Sequence, residues 1–196
     1  MQAHWSEVQS LISTFRRDGE REQREAIERM RDHANVALPI LRESIRYSRS
    51  AHERAWCATA VAALAGRRAI PDLVAALDDP TMSVRLHAIR ALVELGDPDV
   101  GRRMIPLVSD ASGAVRANAI GALTRLGVAA AGREILARTT DEKWYVRQRV
   151  ARAIHRLRIE SGRRTLKSLM ADPHPAVRNE AAQALEQVEQ LRNSAA

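Results

Sequence analysis

A Val-Arg pair returns every 31 residues, as "VRLHA" at 84–88, "VRANA" at 115–119, "VRQRV" at 146–150 and "VRNEA" at 177–181. A fixed period of this length marks a stacked-repeat architecture, in which one supersecondary unit cannot bury its apolar face without a neighbour. A shift by 31 aligns more than the pair itself. Asp79, Asp110, Asp141 and Asp172 fall in register, as do Leu92, Leu123, Ile154 and Leu185. Each unit reads as a short first helix, such as "PDLVAALDD", and a longer second one, such as "SVRLHAIRALVELG". Val84, Ala88, Ala91, Leu92 and Leu95 then share one face of the second helix, the apolar stripe of an amphipathic helix. Gly96 and Gly127 stand where a left-handed residue ends such a helix. Asp97 and Pro98 supply a cap and a first-turn proline for the next one. Pro106 is predicted to kink a first-type helix.

The register reaches backward less cleanly. Arg54 matches Arg85, Val61 and Leu64 match Leu92 and Leu95, and Leu11 and Phe15 match Leu73 and Leu77. The chain is therefore read as one repeat domain over 1–196, with degenerate repeats at 4–66 and well-matched repeats at 70–190. The first and last second-type helices are rich in Glu, Arg and Gln. This is the polar outer face of a terminal repeat, so the array is expected to be complete.

Aromatic residues make up only 3% of the sequence, so the core must be built from Ala, Leu, Val and Ile. The formal net charge is +7, and Lys occurs only at 143 and 167. That balance permits an acidic partner without requiring one. The lone cysteine, Cys57, excludes an intrachain disulfide. Neither a signal peptide nor an 18-residue apolar run is read, so a cytoplasmic protein with no membrane partner is expected.

The pattern D-x4-V-R-x2-A-x2-A-L-x2-L-G, as in "DPTMSVRLHAIRALVELG" and "DASGAVRANAIGALTRLG", resembles the HEAT repeat. It is most similar to the short bacterial type named after phycobilisome-lyase HEAT-like repeats. The resemblance covers four repeats well and the first two weakly. It implies an all-α fold, a right-handed, armadillo-like α-solenoid of about six antiparallel helix pairs. It also implies that second helices line a concave face, and that Asp79, Asp110, Asp141 and Asp172 form a structural ladder with Arg85, Arg116, Arg147 and Arg178. An Arg fork suits a carboxylate, and a matching Asp accompanies each Arg, so the ladder is preferred over ligand contact.

With Val84 toward the core, 100° per residue turns Leu86, Ile89, Arg90 and Val93 outward. With Trp56, Thr59, Ala117 and Ile120 they form the expected partner-binding groove. Ile89 and Ile120 are open to two readings, contact with a partner or with the adjacent second helix. Arg149, Arg152, His155 and Arg156, near Trp144 and Tyr145, form a basic patch. It is either a site for phosphate or acidic peptide, or a solvated helix face. Trp56 is either a binding anchor or a seam filler.

Cys57 aligns with Ala88, Ala119 and Ala181 and is read as a small core residue. The six histidines are scattered, with no metal-ligand spacing to Cys or carboxylate, so no metal or other cofactor is expected. No phosphate-binding loop or nucleophile elbow is present. The expectation is a non-enzymatic scaffold that binds a protein or peptide in its groove. The alternative is a nucleic-acid-binding protein related in architecture to the HEAT-like alkylpurine DNA glycosylases. Its irregular repeats argue against a designed array.

Overall fold

The computed structural model describes residues 2–17 and 19–193, with side chains at 4–17 and 19–190. Every regular element among them is helical. The chain divides into two compact units, Met1–Gly96 and Asp97–Ala196.

The first unit holds α1 (Gln2–Ser13), α2 (Glu20–Met30), α3 (Ala34–Tyr47), α4 (Ala51–Ala65), α5 (Ile70–Ala76) and α6 (Met82–Leu95). Helix α3 packs on α4, α5 on α6, and α4 on both α2 and α6. The second unit holds α7 (Pro98–Gly101), α8 (Gly113–Arg125), α9 (Gly132–Leu136), α10 (Trp144–Arg156), α11 (Gly162–Leu169) and α12 (Pro175–Asn193). Here α10 lies between α8 and α12, while α9 and α11 cover α10 and α12. Each unit is thus three helix pairs with the second helices in series, six pairs in the described residues. Helix α7 is only one turn long because the chain tightens into a 3-10 segment, Arg102–Ser109, that contains Pro106. The proline cannot donate the bond that would continue an α-helix.

The stripe read from the sequence is the core. Val84, Ala88 and Leu92 of α6 are fully buried, as are Val115, Ala119 and Leu123 of α8 and Val146, Val150 and Ala153 of α10. Each buried Val or Leu contributes about 1.5–3 kcal/mol. Asp97 caps α7 by accepting the Asp99 amide at 3.0 Å. Gly96 and Gly127 adopt φ 68° and 69° and end their helices. One period later the same left-handed position is held by Arg158, at φ 52°.

The repeated Asp and Arg form a strut between pairs. Arg54 donates through Nε and Nη2 to both carboxylate oxygens of Asp79, at 2.7 and 3.0 Å. Arg116 holds Asp141 at 2.7 and 2.7 Å, and Arg147 holds Asp172 at 2.6 and 2.8 Å. Each guanidinium therefore grips the Asp of the following pair, 25 residues on. Toward its own pair it contacts a main-chain carbonyl instead. Arg85, Arg116, Arg147 and Arg178 donate to the carbonyls of Asp79, Asp110, Asp141 and Asp172, at 2.7–3.0 Å. Each of these four Asp side chains also accepts the amide two residues on, at 2.8–3.0 Å. Arg178 is exposed, and among the described residues its contacts are to the carbonyls of Asp172 and Pro173.

Candidate functional site

Helix–helix seams decide which of the expected groove residues reach the surface. Trp56, Ile89, Ala117 and Ile120 are buried, at 6%, 3%, 7% and 0% exposure. These four therefore offer a partner almost no surface. The wheel angle that turned them outward treats a second helix as if it had solvent on both flanks. Stacking on a neighbouring second helix, as α4 on α6 and α8 on α10, buries a wider stripe. Trp56 is such a seam filler, with its ring 6.3 Å from Phe15 and 5.2 Å from His87. Thr59 shares a 2.9 Å hydrogen bond with His87 Nδ1. Burial, then the charges of Arg90 and His52, push His87 down to about 4, so it is neutral at pH 7. Leu86 and Val93 remain half-buried, and Arg90 is exposed.

The second unit carries a cleft of about 360 Å³ between α8 and α10, lined by Gly121, Thr124, Arg125, Arg149, Arg152 and Arg156. Positions 149, 152 and 156 recur along one face of α10, and Arg125 closes the cleft from the last turn of α8. Gly121 leaves room for Arg149, whose guanidinium lies within 4 Å of where a Cβ at 121 would stand. Only Arg152 has a carboxylate partner. It grips Glu180 of α12 at 3.0 and 2.5 Å, which raises its pKa through the hydrogen bonds to Glu180. Arg125, Arg149 and Arg156 form no ion pair with any described residue.

His155 does not belong to this patch. It is half-buried, lies outside the cleft lining, and is held below the usual imidazole range by burial and then by Arg156 and Arg158. Trp144 is 40% exposed and stacks on His174 at 4.0 Å with the rings 1° from parallel. Its exposed face is thus partly spent within the protein.

A larger cleft, about 570 Å³, lies in the first unit around Ile40, Tyr47 and the Arg16–Glu53 ion pair. Its lining carries both signs of charge. Cys57 is fully buried, and burial, with Glu53 nearby, drives its thiol far above the usual range. It is therefore inert at neutral pH. The histidines are less scattered than their spacing implies. The first helix pair brings His4 and His33 to Glu7, with ligand atoms all within 4.8 Å of one another. Residue 33 is joined to residues 4 and 7 by the turn between helices, which linear spacing does not reveal.

Solved structures similar to the chain include designed armadillo repeat proteins. A designed armadillo repeat protein in complex with the peptide (KR)4 aligns with a TM-score of 0.60 at 17% identity, over 91% of this chain and 98% of that one. CpcE and CpcF, the complex of phycocyanin lyase from Nostoc sp. PCC7120, gives a TM-score of 0.57 at 24% identity, over 76% of this chain and 98% of the aligned one. YibA of E. coli gives 0.62 at 18% identity, over 93% and 68%. These likenesses establish an all-α solenoid fold. No curated protein matches the chain in sequence. The sequence model for HEAT repeats matches residues 38–124, 70–141 and 132–196, the greater part of the chain. By that match, and by the Asp–Arg strut that it leads one to expect, the chain belongs to the HEAT-repeat family.

Proposed function

We propose that the chain is a non-enzymatic scaffold that docks a protein partner by an acidic segment. The single observation that carries this reading is the cleft of the second unit, where three of four arginines have no carboxylate partner among the described residues. Like charges gathered in one cleft repel, and an anionic side chain relieves that repulsion while gaining charge-assisted hydrogen bonds. Leu86 and Val93 of the first unit add partly exposed apolar surface of the kind that protein interfaces use. Peptide binding by a designed armadillo protein and the CpcE–CpcF complex support a protein partner as the class.

The test is affinity capture from the source cell with the wild type and with an Arg125→Glu/Arg149→Glu variant. The expected result is a protein recovered with the wild type, lost with the variant and released by moderate salt. Recovery of the same protein by both would refute the role of the cleft.

The same arginines support a second reading, nucleic-acid binding. A duplex would be held through phosphates, with affinity falling steeply in salt. Retention of an unrelated-sequence duplex at low salt, lost in the same variant, would favour that reading. An absence of retention would end it.

A further inference from the structure

We infer that His4, Glu7 and His33 form a Zn2+ site that clamps the first helix pair. This inference is independent of the arginine cleft. His4 and Glu7 lie three residues apart on α1, one turn along the same face. The 3-10 turn Arg31–His33, which follows α2, delivers His33 to that face. The His33 Nε2 atom is 3.4 Å from Glu7 Oε2. Two ligands of a tetrahedral zinc ion with bonds of about 2.1 Å are separated by roughly 3.4 Å, so this edge already has the required length. The imidazole rings of His4 and His33 are 4.5 Å apart, centre to centre. His4 is exposed, so side-chain rotation can close the remaining gap without moving the backbone.

The carboxylate is oriented from behind. Arg29 Nη2 donates to Glu7 Oε1 at 3.1 Å, which leaves Oε2 for the metal. Outer hydrogen bonds of this kind fix ligating carboxylates and tune affinity. Two imidazoles and one carboxylate suit zinc, whereas Ca2+ and Mg2+ prefer all-oxygen sets. The fourth position faces solvent, beside exposed His4, and would take water. The clamp ties α1 to the end of α2, in the terminal pair whose repeat pattern is weakest.

The test uses the full chain without a histidine tag. Calorimetric titration with ZnCl2 should give one ion per chain, and Co2+ should develop visible absorption of a low-symmetry N/O site. His4→Ala and His33→Ala should each weaken Zn2+ binding by at least about tenfold, the upper part of the range for losing even an outer partner being about a hundredfold. His4 is on the surface, so its variant keeps the fold, which circular dichroism checks. At equal zinc concentration the thermal midpoint should rise less for His4→Ala than for the wild type. No uptake at millimolar Zn2+, or equal uptake by wild type and both histidine variants, would overturn the site.

Discussion

Removing Asp141 should destabilise the second unit far more than its single side chain suggests. Arg116 and Asp141 are 8% and 3% exposed, and two parallel 2.7 Å bonds join them. Burial alone would push the Asp141 carboxyl up. The hydrogen bonds from Arg116 and the Lys143 amide, with the charge of Arg116, outweigh that and hold it below the usual range. Asp141→Ala leaves a buried guanidinium whose remaining partners are the carbonyls of Asp110 and Ala111 and, at 3.6 Å, the exposed carboxylate of Glu142. Stranding one member of a buried pair costs about 3–5 kcal/mol, a large share of the 5–15 kcal/mol that holds a typical domain together. Replacing both, as in Arg116→Met/Asp141→Leu, should cost much less than the two single changes added, because no charge is then stranded. Urea unfolding of the four proteins completes the cycle. A single-variant loss below about 1 kcal/mol, with coupling below about 0.5 kcal/mol, would refute the strut as a buried pair. The same carboxyl gives the pH sign. Its folded pKa is lowered, so its contribution is present above the unfolded value and is lost as pH falls through the folded one.

Arg178→Ala, at the exposed end of the strut, should cost under about 1 kcal/mol by the same assay although it repeats Arg116 in sequence. Arg158→Gly should raise stability by about 0.5–1 kcal/mol, since a left-handed non-glycine residue costs roughly 1–2 kcal/mol and glycine loses more chain entropy on folding. His87, pushed down to about 4, takes up fewer protons folded than unfolded between pH 6.5 and 4. Stability should therefore fall as pH drops through that window, and His87→Gln should flatten the fall in pH-dependent thermal melts. Cys57 should not react with a thiol reagent in the native protein and should react on unfolding.

The helix pairs were legible because the core stripe and the strut partners all repeat. The direction of the strut was not. With a 31-residue period, every Asp stands six residues before one Arg and 25 after another, so register alone cannot choose between them. The burial of Ile89 and Ile120 was one of two open readings, because a helical wheel sees one helix, while the seam belongs to two. Arg125 was missed although its signal was present, since it is the residue one period before Arg156. The convergence of His4, Glu7 and His33 left no such trace, because it lies in the pair where the period fades.

The strut also sets a rule for how such a chain can change in length. Arg54, Arg116 and Arg147 each bind forward to the next Asp, and the two such joints in the second unit are made alike. Excising residues 129–159, one 31-residue period, would present Asp172 to Arg116 in the place of Asp141. The joint would close again without a new side chain. Insertions or deletions inside the helices by other than whole periods would instead shift the carboxylate relative to its guanidinium. Growth and shortening by whole periods are thus the changes that such an array tolerates, and its length is counted in units rather than in residues.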